Sequence, residues 1–241
     1  MALTELILSD ITRMGQGYCV IGLERTENGC RSVRPLPPFT ESWPAPFPFH
    51  RGDAIQFDLY PVPVSRPHIE DRRSRGQPRV LRRTSEDELV ACLRRAESTA
   101  NLDGLFGCGV HENVRGSGMY VLPGQGQRSI CGCDLNNVRF EFFPDEVRAM
   151  ILLPSGVVLR DFPLVDRDWR NFIDRAFQQM AGANRLQRVQ RFLNGKIAEM
   201  LLNTTNPFAR IGLTRLHNDR HWLMLDSLFP LPRAAWLNDL D

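Results

Sequence analysis

The stretch Ile7–Pro38 reads ILSDITRMGQGYCVIGLERTENGCRSVRPLPP. Thr4–Ile11 and Tyr18–Arg25 are rich in β-branched and apolar residues, and Gly15-Gln16-Gly17 between them reads as a turn. Asn28-Gly29 is a strong hairpin signal, because a two-residue type I′ turn needs positive φ at both central positions. It predicts that Tyr18–Arg25 runs back as Cys30–Arg34. The segment Pro35–Pro48 lacks too many backbone donors for a ladder, so it predicts a loop anchored by Phe39, Trp43, Phe47 and Phe49. Asp53–Tyr60 alternates well enough for a fourth strand. A meander with one long excursion is the pattern that closes small barrels.

Outward from this block, residues 66–83 read RPHIEDRRSRGQPRVLRR and carry seven arginines against two acids, a local charge of +5. With so few apolar residues the segment predicts an exposed loop. Ser85 and Glu88 form a capping box, followed by a helix-spaced stripe of Leu89, Val90, Leu93 and Ala96. Residues 101–128 are glycine-rich and predict loops holding short strands. Strands are expected again at Gln127–Cys133, Val138–Phe142, Val147–Leu153 and Val157–Phe162. Asp166 then caps a helix whose Trp169, Phe172, Ile173, Ala176, Phe177 and Met180 share one face, and a second helix runs over about Arg185–Leu202. The chain returns to strand at Ala209–Arg215 and His221–Ser227.

A chain of 241 residues holds one or two domains, and its net charge is +2. No apolar run approaches the roughly 18 residues of a membrane span, and the start, MALTELILSD, has no basic region of the kind that opens a secretory signal. A cytoplasmic protein with no membrane association is the expectation. Its six cysteines are then expected as buried thiols rather than disulfides. Lys196 is the only lysine, so the positive charge is arginine; codon bias explains that, and so does a phosphate-binding role, since guanidinium forks suit phosphate.

Glycine-rich phosphate loops of either common type are missing, as is the G-x-S-x-G elbow of a nucleophilic serine. Cys131-x-Cys133 is too tight for a zinc knuckle and predicts core neighbours on one strand face. His68, Glu70, Asp71, His111 and Glu112 could hold Mn²⁺, Fe²⁺ or Zn²⁺ if the fold brought them together, although scattered ligands of this kind are usually solvated. The basic segment is the strongest physical feature. Arg66, Arg72, Arg73, Arg75, Arg79, Arg82 and Arg83 read either as a solvated loop or as a phosphate-binding arm, with Trp43 and its neighbours stacking bases.

Several of these pieces together resemble the prokaryotic dual OB-containing domain proteins: the opening block with its CVIG strand and Arg34-Pro35, RPHIED at Arg66–Asp71, HENV at His111–Val114, and RIGLTR with HWLMLDSLFPLP at Arg210–Pro232. The resemblance implies two OB-like barrels side by side, a setting in bacterial conflict or defence gene neighbourhoods, and a role in sensing nucleic acid or nucleotides. It carries no catalytic residues. On the matching positions, Arg34, His68, Glu70, Asp71, His111, Glu112, Asn113 and Arg215 become candidates for a ligand pocket between the barrels, or else hydrogen-bond partners across the interface.

The expected fold is therefore mixed, β-rich (α+β): residues 1–100 form a first OB-like barrel with the arginine-rich loop and a helix, and residues 101–241 a second with a helical insertion at about 166–202. The expected function is binding of single-stranded DNA or RNA, or of a nucleotide, with no cofactor, no metal and no catalytic residues. Two alternatives remain. One is a metal-dependent hydrolase of nucleotides or nucleic acid. The other is an adaptor whose Pro-rich loop and Phe229–Trp236 segment dock a protein partner from the same operon.

Overall fold

The computed structural model describes residues 3–63, 65–96, 104–114, 116–143, 146–204 and 207–229. The first half is organised by β1 (Leu3–Met14), β2 (Gly17–Thr26), β3 (Gly29–Leu36), β4 (Trp43–Pro44), β5 (Asp53–Pro61), β6 (Asp71–Ser74) and β7 (Arg79–Arg83). β1 is long enough to pair with two partners, β2 through Ile7–Met14 and β5 through Leu3–Ile7. A register shift between Leu8 and Asp10 bends it between the two, as a bulge does. The pairing then runs β2 to β3, β3 to β6 in parallel, β6 to β5 and β5 back to β1, so five strands close a circuit. Leu6, Leu8, Ile11, Val20, Val33, Ile55 and Phe57 pack together as its apolar core.

Two expectations are corrected here. Residues 66–83 are not a free loop: they contain β6, which completes the circuit, and β7, which lies on the other side of β5. Strand pairing through the backbone does not require apolar side chains, and every residue of β7 is exposed, so the composition concealed it. The Pro35–Pro48 excursion is also tied down. β4 pairs with Gly17 and Tyr18, Trp43 is only 6% exposed with its Nε1 donating to the Pro35 carbonyl at 2.7 Å, and Phe47 is buried. Trp43 therefore packs in the core and is not an exposed stacking ring. Phe39 of the same excursion is fully exposed.

The helix α1 (Glu86–Arg95) begins where the capping box places it, with Ser85 Oγ accepting from Glu88 N at 3.2 Å. Its Leu89, Cys92 and Leu93 join Ile7, Leu23 and Ala54 of the first half and Phe208 and Phe229 of the second in one apolar cluster.

The second half contains β8 (His111–Glu112), β9 (Met119–Val121), β10 (Ile130–Asp134), β11 (Asn137–Phe142), β12 (Val147–Leu152), β13 (Val158–Pro163), α2 (Arg167–Gln179), α3 (Arg185–Asn203), β14 (Phe208–Leu213) and β15 (His221–Phe229). Among the described residues these strands form a five-stranded sheet in the order β10-β14-β15-β9-β8 and a three-stranded sheet β11-β12-β13. Both share a core with the two helices, in which Trp169 is fully buried. Cys131 and Cys133 are buried neighbours on β10, and all six cysteines are free. The described residues are β-rich with three helices. No helix among the described residues is long and apolar enough to cross a membrane.

The two halves meet along a polar seam. Arg13 reaches Asp174 at 2.7 Å, and Arg51 reaches Asp166 at 2.7 Å while lying 4.6 Å over the Phe229 ring. The Asp166 carboxylate also caps α2 by accepting from Asp168 N and Trp169 N, and it accepts from Leu228 N. Fully buried Arg210 of β14 lies 3.4 Å from equally buried Asp10 of β1 and donates to Ser32 Oγ.

Candidate functional site

Five of the eight pocket candidates converge in the seam. β3 and β6 are parallel neighbours with Arg34 paired to Asp71, which puts both side chains at the same level. Arg34 Nη1 donates to His68 Nδ1 at 2.9 Å and to Asp71 Oδ1 at 3.2 Å, and its Nη2 donates to Ser129 Oγ at 3.0 Å. Glu70 accepts from Ser129 N and from Ser129 Oγ, one bond on each oxygen. Arg215 Nη2 donates to Asp71 Oδ2 at 2.6 Å and also reaches Glu41 at 3.1 Å.

His68 is 3% exposed. A guanidinium offers only donors, so Nδ1 carries the lone pair and Nε2 the proton, which goes to the Thr214 carbonyl at 3.2 Å. Burial first, and then the charges of Arg34, Arg215 and His221, push its pKa down to about 2, so the ring is neutral. His221 packs edge-on at 5.4 Å and donates to the same carbonyl.

Beside this network lies a cavity of about 310 Å³, with Met14, Leu213, Met224, Arg34, Arg215 and Asp226 among the residues around it. Asp226 is 3% exposed, and its Oδ1 has no hydrogen-bond partner among the described residues. Burial, then the charge of Asp10, pushes its pKa up to about 8 against the pull of Arg34 and Arg210. Gly212 is required below it, since a Cβ there would stand 2.0 Å from Asp226 Oδ2. Sequence reasoning missed Asp226; its signal was a lone acid inside the apolar run of β15.

The remaining three candidates do not join the seam. His111 and Glu112 form the edge strand β8, and Asn113 follows it. In register, His111 pairs with Tyr120 of β9 and Tyr120 with Trp222 of β15. The rings accordingly form a row across three strands, His111 stacked on Tyr120 at 5.5 Å and Tyr120 against Trp222 at 5.5 Å. Arg220 lies 4.2 Å over Tyr120 and 5.4 Å from Trp222, and its Nη1 donates to Asn113 at 3.4 Å. Gly118, at φ +96°, lets the chain pass under Trp222, since a Cβ there would stand 3.2 Å from the indole. Glu112 faces Arg160 at 3.6 Å. His111 is exposed and Tyr120, Trp222 and Arg220 are half-buried.

This separation dissolves the five-ligand metal set. Both ring nitrogens of His68 and both oxygens of Glu70 are already engaged, and His111 and Glu112 sit on another strand. Among the described residues no group of three or more His, Cys, Asp or Glu is arranged to hold a metal.

The phosphate-binding arm is likewise not assembled as expected. Arg72 donates to the carbonyls of Ile69 and Asp71; Arg73 to those of Pro37 and Thr40 and to Glu41. Arg75 lies over the Tyr60 ring at 4.9 Å. Arg82 pairs with Glu5 and Glu88, and Arg83 with Asp53. Arg66 and Arg79 are exposed. Five of the seven guanidiniums thus meet internal partners. Of the docking segment Phe229–Trp236, Phe229 is buried and the rest lies outside the described residues.

No family model matches the chain, and no curated protein matches it. Among solved structures, a murine DNA-binding protein bound to double-stranded DNA aligns over 95% of this chain and 97% of its own, at 11% identity and a TM-score of 0.33. At that level of likeness neither its fold nor its partner transfers.

Proposed function

We propose that the protein binds single-stranded nucleic acid, with bases stacking along the row His111–Tyr120–Trp222 and Arg220 adding a guanidinium plane beside them. The observation that carries this reading is the register. Three rings stand at the same level on the neighbouring strands β8, β9 and β15, with Arg220 of the preceding turn over Tyr120, the arrangement in which successive bases find aromatic faces. The closed five-strand circuit of the first half, read as an OB-like barrel of the dual OB-containing family, supports the same class of ligand.

Fluorescence anisotropy with labelled DNA and RNA oligonucleotides tests it. Trp222→Ala and Tyr120→Ala each weaken binding by about 5- to 150-fold, the equivalent of roughly 1–3 kcal/mol per stacked base. Trp222→Phe, which keeps a ring in the sheet, retains most of the affinity. Because most of the β6–β7 arginines are already paired, raising salt from 50 to 200 mM costs far less than the roughly 10³–10⁵-fold of a protein with 6–10 phosphate contacts. Unchanged affinity in both alanine variants refutes the proposal.

A further inference from the structure

The seam cavity is chemically unlike the aromatic row. Its two guanidiniums are matched by carboxylates, Arg34 by Asp71 and Arg215 by Asp71 and Glu41, so it offers no surplus charge to a phosphate. Two residues around it, Asp226 and Arg34, are 3% and 5% exposed and each carries a buried polar atom, Oδ1 and Nε, with no partner among the described residues. Such atoms are costly to leave unmade, on the order of 1–3 kcal/mol each, so a ligand that supplies their partners gains at both. Met14, Leu213 and Met224 contribute apolar wall. The volume of about 310 Å³ stands at the lower end of the roughly 300–1,000 Å³ range of small-molecule sites.

We propose that this cavity binds an uncharged planar heterocycle carrying an amino group next to a ring nitrogen, the edge of adenine or cytosine, with Asp226 reading that edge. A neutral carboxyl presents one O–H donor and one carbonyl acceptor, and that edge presents their complements, a basic nitrogen and an N–H. The raised pKa of Asp226 keeps it in the required neutral form at pH 7. The groups that face it are Asp10 on β1, Cys19 on β2, Arg34 on β3, Arg210 on β14, Asp166 at the head of α2, and Arg215 with His68 at the cavity. Ionisation of Asp226 removes the O–H donor, so affinity is full well below pH 8 and falls as pH rises through it.

Titration calorimetry of the whole chain with adenosine, cytidine and guanosine at pH 6.5 and pH 9 is the test. Adenosine or cytidine binds at pH 6.5, about tenfold more weakly at pH 9, and inorganic phosphate does not compete. Asp226→Asn, which keeps a donor and an acceptor, retains binding and loses the pH dependence, whereas Asp226→Leu loses at least about tenfold. Two sources of the base are separated by the same variants. Free nucleoside binding that survives Trp222→Ala identifies a free ligand. Binding seen only with an A- or C-containing oligonucleotide, and lost in Asp226→Leu, identifies a base of a strand. No binding of either kind, affinity that rises with pH, or an Asp226→Leu protein that binds like the parent overturns the proposal. The nucleoside arms stand whether or not the aromatic row stacks bases, and the oligonucleotide arm alone rests on the strand binding proposed above.

Discussion

His68 Nδ1 accepts a hydrogen bond from Arg34 Nη1 at 2.9 Å, and that bond fixes the tautomer of the ring. A protonated imidazole would set two cations against each other in a buried site. The ring therefore stays neutral, with its proton on Nε2 toward Thr214.

The first expected outcome follows from that tautomer. Nitrogen chemical shifts of His68 report protonated Nε2 and bare Nδ1 from pH 8 down to pH 4. Because the folded pKa, about 2, lies below the unfolded value near 6.5, the unfolded chain takes up the proton first as pH falls. This group's contribution to stability is complete above pH 6.5 and is lost below it, at about 1.4 kcal/mol per pH unit. His68→Gln, which can still accept from Arg34 and donate to Thr214, shows a shallower acid limb in denaturant melts at pH 5 and 7. A limb as steep as the parent's refutes the assignment.

Asp226 has the opposite sign. Its folded pKa, about 8, lies above the unfolded carboxylate value, so its contribution is complete below about pH 4 and is lost as pH rises toward 8. Asp226→Asn should be more stable than the parent at pH 8, with the advantage shrinking at pH 5. Thermal melts at the two pH values measure it, and an advantage that grows toward acid contradicts the burial argument.

The Asp10–Arg210 pair is sealed from solvent on both sides. Removing one partner leaves a buried charge, so Arg210→Met alone costs about 3–5 kcal/mol. Asp10→Leu combined with Arg210→Met removes both charges and recovers much of that loss. Additive losses in the double variant, read from urea unfolding, would show that the pair is not coupled.

Arg82 and Arg83 provide a check on where the ligand sits. Both already face carboxylates on their own half. Replacing both with glutamine changes oligonucleotide affinity by less than about threefold, while Arg220→Ala weakens it more. The reverse order would return the binding surface to the arginine-rich segment.

Most strands and all three helices were legible in the chain. The period-2 runs, Asn28-Gly29, the Ser85–Glu88 box and the Asp166 cap are local signals whose physics acts within a few residues. β6 and β7 were not legible, because they are held by backbone pairing and ion pairs to partners far away in the chain. Trp43 illustrates the same limit: the sequence reads it as a loop anchor or a base-stacking ring, and packing on Phe47 and Phe57 with a bond to the Pro35 carbonyl buries it.

The sequence by itself determined the β-rich class, the helical stretch near 166–202 and which residue types were available for chemistry. Only the tertiary structure decided that Arg34, His68, Glu70, Asp71 and Arg215 share a seam while His111 joins Tyr120 and Trp222 across three strands, Arg220 lies over Tyr120 and reaches Asn113, and Glu112 faces Arg160. Strand register sorts residues that way, because period-2 geometry and long-range pairing place side chains at a common level without regard to their distance along the chain.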